Sequence, residues 1–314
     1  MTKEKIKFSI SVFFGLFLLS VVAGLAQETK DENVGAIVRN INWAGVKGPY
    51  RFDIYCSPKE KVSWSVGGEG DVLFQSAENG VYESREYQLP YEGFEESFYG
   101  VWFNTKGNGW IVGGEGVIMH TSDNGYTWQR QISDTEEDLK RVSCIDARHC
   151  WILGRNEVFL ATNNGGKTWK QLEDISGNDI EFIDSKNGWI VDDNLILLTN
   201  DGGKSWVKST IEVAVEKNEP SYNATHFSSI KFINKKVGWV AGNSKIARTM
   251  DGGKTWNVTK IDDEDYPNFV GIVSKSESTA LAVNKGKYNY CTEDAGKTWN
   301  KCFRRQDINN VSSG

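Results

Sequence analysis

The stretch TMDGGKTW, residues 249–256, reads alone as a polar, glycine-rich turn entered by Thr249 and left by Trp256. The chain repeats it: TSDNGYTW starts at Thr121, TNNGGKTW at Thr162, TNDGGKSW at Thr199 and TEDAGKTW at Thr292. The closing tryptophans are Trp128, Trp169, Trp206, Trp256 and Trp299, spaced by 41, 37, 50 and 43 residues. A phrase recurring at that period marks an array of copies of one supersecondary unit.

The unit around the phrase has a constant plan. FYGVWFNTKGNGWIVGGEGVIMHTSDNGYTWQRQ from Phe98 and FSSIKFINKKVGWVAGNSKIARTMDGGKTWNVT from Phe227 each run an apolar segment, a polar turn, Gly-Trp with small apolar residues, a second turn, and an apolar segment into the phrase. Four short strands per unit predict an all-β propeller. A worn copy, VSWSVGGEGDVLFQSAENGVYES from Val62, keeps the VGGEG turn, puts Glu78 in place of the Asp and loses the final Trp. Six four-stranded blades follow, starting near Phe52, with seven left open because Trp43 could mark a further strand or a segment that closes the ring. In the phrase, Asp123, Asn164, Asp201, Asp251 and Asp294 are expected to accept turn amides, and Gly125, Gly166, Gly203, Gly253 and Gly296 to take a positive φ. The Trp is expected between neighbouring sheets.

Composition agrees. The chain has 314 residues, 39% hydrophobic and 25% charged, with 32 Gly and 12 Trp but only 5 Pro, which favours many short strands. The formal net charge of -6 argues against generic binding to nucleic acid or to an anionic membrane, both of which reward a basic surface, and leaves a local basic patch open. MTKEKIK, the apolar run FSISVFFGLFLLSVVAGLA and the polar QETKDEN have the layout of a secretory signal over residues 1–26, leaving 27–314 as one domain. The mature protein is then secreted, periplasmic or lumenal; a retained N-terminal anchor is the alternative.

Export suits the cysteines. Cys144 and Cys150 bracket a short turn, and Cys291 and Cys302 bracket the last phrase, so two hairpin-clipping disulfides are expected with Cys56 left over. Five reduced thiols are the alternative. His120, His149 and His226 are scattered and no CxxC is present, so neither metal nor cofactor is expected. Asn223, Asn257 and Asn310 begin glycosylation sequons that count only in a eukaryotic secretory route.

The phrase S/T-x-D-x-G-x-T/S-W is the Asp-box, or BNR repeat. Its pairing with NGWIVGGEG (108–116), NGWIV (187–191) and VGWVAG (237–242) resembles the photosystem II stability/assembly factor family, over residues 52–302. The resemblance implies a non-catalytic, monomeric scaffold whose partner is another protein, such as a membrane-protein assembly intermediate, met through an arginine-rich surface. Sialidases carry Asp-boxes too, so a glycan-directed module or hydrolase is the rival reading. YRFD (50–53) is similar to their Arg-bearing motif, with Asp53 where that motif has Pro. A retaining sialidase needs an arginine triad with Tyr and Glu, and no spacing here singles one out.

One departure from a bland surface stands out. LKRVSCIDARHCWILGRNE in the third unit carries Lys140, Arg141, Arg148 and Arg155 in an acidic chain, after a DTEED run (134–138) that partly neutralises them. These four are the candidate binding residues, expected as one rigid basic loop for an acidic partner; the alternative is a solvated strand face neutralised by that acidic run.

Overall fold

The computed structural model describes residues 36–39, 51–57, 62–68, 70–78, 81–88, 97–213, 226–264 and 266–304. They form six antiparallel sheets arranged as the blades of a β-propeller. Blade one holds β1 (Ala36–Arg39), β2 (Arg51–Ser57), β3 (Val62–Gly67), β4 (Asp71–Glu78) and β5 (Val81–Gln88). Blade two holds β6 (Phe98–Phe103), β7 (Gly109–Gly113), β8 (Ile118–Thr121) and β9 (Gln129–Gln131). Blade three holds β10 (Leu139–Cys144), β11 (Cys150–Gly154), β12 (Phe159–Thr162) and β13 (Lys170–Gln171). Blade four holds β14 (Asp179–Phe182), β15 (Gly188–Asp192), β16 (Leu195–Thr199) and β17 (Val207–Thr210). Blade five holds β18 (Phe227–Phe232), β19 (Gly238–Gly242), β20 (Lys245–Thr249) and β21 (Asn257–Lys260). Blade six holds β22 (Phe269–Ser274), β23 (Ala280–Asn284), β24 (Tyr288–Thr292) and β25 (Asn300–Arg304).

The blade count is six. Upstream of the position where Trp43 left a seventh blade open, β1 joins blade one as a fifth strand inside β2 and lies against β22 of the last blade. That contact joins the first blade to the last. Trp43, residues 1–35, Asn223 and Asn310 lie outside the described residues, as does the side chain of Cys56.

Aromatic packing between blades explains the Gly-Trp half of the repeat. Trp151 of blade three stacks on Phe182 of blade four, ring centroids 3.7 Å apart, and Trp189 stacks on Phe232 of blade five at 3.6 Å. The Asp-box Trp closes each sandwich edge-on, Trp206 against Phe182 at 6.1 Å and Trp256 against Phe232 at 6.1 Å. The Gly before each Gly-Trp tryptophan is there for room: a Cβ on Gly188 would stand 2.5 Å from the Phe182 ring. The expectation that the Asp-box Trp packs between sheets is met, and the tryptophans of the second strands, Trp151 and Trp189, supply the opposing layer.

A second tie runs round the inner strands. Asp53 accepts the Val101 amide of blade two at 2.9 Å, Asp179 accepts the Ile230 amide of blade five at 3.0 Å, and Ser229 accepts the Ile272 amide of blade six at 3.2 Å. All three side chains are buried. Each supplies an acceptor to an amide of the next blade, a group that is costly to bury unpaired.

Candidate partner-binding surfaces

The antiparallel order divides the turns between two faces. In blades two to six the turn after the first strand and the turn after the third, which is the Asp-box, share one face; the turn after the second strand and the connection to the neighbouring blade share the other. On the Asp-box face the two turns are bonded together: the Gly165 amide donates to the Arg148 carbonyl at 3.0 Å and the Gly252 amide to the Lys236 carbonyl at 2.9 Å.

The Asp-box is a self-contained turn. Asp251 Oδ1 accepts the Lys254 and Thr255 amides at 3.0 Å each, and Oδ2 accepts the Thr255 hydroxyl at 2.7 Å. Asp123, Asp201 and Asp294 repeat this with their own hydroxyl partners. Asn164 accepts the Thr168 amide at 3.1 Å through its oxygen, and its amide group donates to the Thr168 hydroxyl at 2.9 Å, reversing the direction of that bond. The buried amide of the turn, however, bonds elsewhere: Gly253 N–H donates to Thr249 Oγ1 at 2.9 Å, as Gly203 does to Thr199 and Gly125 to Thr121. The Asp carboxylates serve the exposed amides, and the Thr that opens the phrase serves the hidden one. All five glycines expected at positive φ have it, from 76° at Gly125 to 90° at Gly253.

These bonds also set the acidity of the carboxylates. The Ser205 hydroxyl first, then the Thr199 hydroxyl and turn amides, hold Asp201 at about 2 against the pull of desolvation. For Asp251 desolvation is the largest influence and pushes upward, but the Thr255 and Thr249 hydroxyls with the Thr255 and Lys254 amides bring it down to about 2. Asp294 is also held at about 2, first by the Thr298 hydroxyl. Groups so engaged and so acidic are poor proton donors at neutral pH.

The four basic residues of blade three do not form one loop. Arg148 lies in the turn between β10 and β11 on the Asp-box face, while Arg155 follows β11 on the opposite face, the length of a strand away. Arg141 is buried on the inner strand at 7% exposure, one N–H group donating to the Lys140 carbonyl at 2.8 Å. Lys140, Arg141 and Arg155 do share a neighbourhood. Desolvation, then the charge of Arg155, then that of Arg141 lower the proton affinity of Lys140, with Asp138 opposing them. Arg155 pairs with Asp138 at 3.0 Å, so the DTEED run neutralises part of the cluster as its position suggests. The single basic loop of the sequence reading is therefore corrected to a cluster of Lys140, Arg141 and Arg155 at one end of the blade, with Arg148 at the other. The cause is that β11, Cys150–Gly154, runs between Arg148 and Arg155.

The Cys144–Cys150 and Cys291–Cys302 disulfides are present, each clipping an antiparallel hairpin. His120 lies against Trp110, His149 pairs with Asp146 at 3.0 Å, and His226 pairs with Asp193. Among the described residues no three His, Cys, Asp or Glu side chains gather where they could hold a metal ion, and no helix is long and apolar enough to cross a membrane. Asn257 is exposed at the start of β21.

Fold and repeat together define an Asp-box β-propeller with charged turn faces. The chain belongs to the family described as Photosynthesis system II assembly factor YCF48, whose profile matches residues 82–176 and 172–306. Among solved structures it is similar to YCF48 bound to D1 peptide, at 15% identity and a TM-score of 0.63, covering 90% of this chain and 86% of that one. It is also similar to a catalytically inactive virginiamycin B lyase from Staphylococcus aureus with quinupristin, at 14% identity, TM-score 0.57, covering 82% of this chain and 94% of that one. The RRP9 WD40 repeats match at 8% identity, TM-score 0.63, covering 80% and 79%. At these identities the likenesses show the fold alone. No curated relative matches the chain.

Proposed function

We propose that the chain is an exported, non-catalytic scaffold that holds a polypeptide client through carboxylates of that client. The observation that carries this reading is membership of the YCF48 assembly-factor family, supported by a fold relative whose solved structure holds the D1 peptide. The Lys140, Arg141 and Arg155 cluster is the docking point. Its cations crowd one another beside Asp138, so an arriving carboxylate relieves repulsion as well as making its own attraction. Arg155 is the exposed member and presents a planar fork that pairs with a carboxylate in two bonds.

The sialidase-like rival has less support. Asp53 and Asp179, two carboxylates on the inner strands, each accept two backbone amides and serve the seams between blades. The Asp-box carboxylates repeat around the ring instead of converging. The test is capture from the native compartment with the purified protein, paired with assays on sialosides and glucans. Recovery of one or a few proteins without glycoside cleavage is expected; cleavage by the wild type overturns the scaffold reading.

A further inference from the structure

We infer that the Asp-box face of blades four and five docks on an anionic lipid bilayer, leaving the opposite face turned away from it. The inference starts from an asymmetry of charge. Among the described residues, the turns of the Asp-box face carry ten Lys or Arg against eight Asp or Glu, whereas the turns and connections of the other face carry three against thirteen. A chain of net charge -6 is repelled by an anionic surface in every orientation except the one that presents its cationic side.

The cations gather most closely in blades four and five. Lys204 and Lys254 follow the paired glycines of their Asp-boxes, and Lys235 and Lys236 form the tip of the β18–β19 turn; all four are exposed. Contacts fix them as one patch. The Ser209 hydroxyl of β17 donates to the Lys254 carbonyl at 3.2 Å, the Trp189 indole of blade four donates to the Gly252 carbonyl at 2.8 Å, and the Gly252 amide bonds the Lys236 carbonyl. Lys235 reaches Asp184 of blade four at 3.0 Å while remaining 65% exposed. Asp201 and Asp251 stay ionised and offset part of the charge, but each is engaged by the amides of its own turn.

Two apolar side chains stand in the same patch. Val207 is 70% exposed and Met250 is 59% exposed, where the neighbouring boxes have Asn200 and Glu293 at the Met250 position. Large apolar groups ringed by ammonium groups match a headgroup layer, in which the charges meet phosphates and the apolar tips enter the acyl boundary. The cations at the tips are lysines. Their charge is a flexible point that follows laterally mobile phosphates, whereas a fixed carboxylate geometry is what an arginine fork selects. The inference does not depend on the client-binding reading, since it concerns the other face.

The experiment adds vesicles of phosphatidylcholine, with or without phosphatidylglycerol, to the protein as isolated from its native compartment. Backbone amide exchange is read by mass spectrometry and binding by flotation. Added protection is expected at 200–207, 233–237 and 250–256 with the anionic vesicles, and it should fade as salt is raised. Changing Lys204→Glu, Lys235→Glu and Lys254→Glu together should weaken the anionic-over-neutral preference by at least about tenfold, each lysine being worth roughly fivefold at a charged surface. Val207→Ser with Met250→Ser should weaken it without removing the salt dependence, and Lys287→Glu on the opposite face should leave it unchanged. Equal protection with both vesicle types overturns the inference, as does a triple variant that melts and binds like the wild type. Capture of polyglutamate at these turns with no vesicle-induced protection also overturns it, in favour of an acidic polypeptide.

Discussion

Thr249 Oγ1 lies 2.9 Å from the buried amide nitrogen of Gly253, accepting its proton while donating its own to Asp251 at 2.9 Å. The hidden amide of the Asp-box therefore depends on the threonine. Thr249→Val should cost about 2 kcal/mol by leaving that donor unpaired, and Asp251→Ala about 1 kcal/mol because water can reach the amides it releases. Urea melts of the two variants check the ranking. A larger loss from Asp251→Ala, or a loss of binding at unchanged stability, would contradict a structural role for the box.

Acid should weaken the fold through these same carboxylates. Asp201, Asp251 and Asp294 are each held at about 2, below their ordinary value of 3.8. A carboxylate with a depressed folded pKa contributes stability above its unfolded pKa and loses it as pH falls through the folded one. The contribution is thus present above about pH 4 and fades toward about pH 2. Replacing all three by Asn, as Asn164 already does in blade three, should flatten that slope. Equal slopes for wild type and variant in denaturation curves across this range would refute the assignment.

Ala295 occupies a left-handed position with φ 65°, where Gly165, Gly202 and Gly252 stand in other boxes. Ala295→Gly should stabilise the protein by about 1 kcal/mol, and Gly252→Ala should destabilise it by at least as much. The second change also drives a Cβ to 2.8 Å from the Lys235 carbonyl. Melting temperatures moving in the same direction for both would contradict the turn geometry.

Asp179 is fully buried and accepts the Ile180 amide at 2.6 Å and the Ile230 amide at 3.0 Å. Asp179→Ala should cost about 3 kcal/mol, since two buried donors lose their acceptor at the seam between blades four and five. Asp179→Asn, which keeps an amide oxygen, should cost less. Amide exchange at Ile230 reports the break directly: unchanged protection there in a folded Asp179→Ala variant would deny the seam its role.

The blades were legible because their signals are local. Thr, Asp, Gly and Trp of one box lie within eight residues and bond within one turn, so the phrase carries its own geometry. Trp151 and Phe182 are read as apolar strand residues, but their stacking joins two blades and no window of sequence shows it. Asp53 and Asp179 stand out only as lone acids in FDIY and DIEF, and their partners lie 48 and 51 residues away. The basic residues of blade three were misplaced for a related reason. Arg148 and Arg155 are seven positions apart in the chain, yet β11 runs between them and separates them by its whole length. The lysines of Lys204 and Lys254 were visible as a repeated GGK, but only the fold shows that every such turn points to one face.

The central claim, that the cluster at Lys140 and Arg155 holds a polypeptide client, is tested most directly by capture with charge reversal. Lys140→Glu with Arg155→Glu should lower client recovery at least about tenfold, the loss of two charge-assisted contacts at an interface, with melting unchanged and the difference shrinking as salt rises. Arg148→Glu on the Asp-box face should recover the client as the wild type does. Undiminished recovery by the folded Lys140→Glu, Arg155→Glu variant would contradict the account.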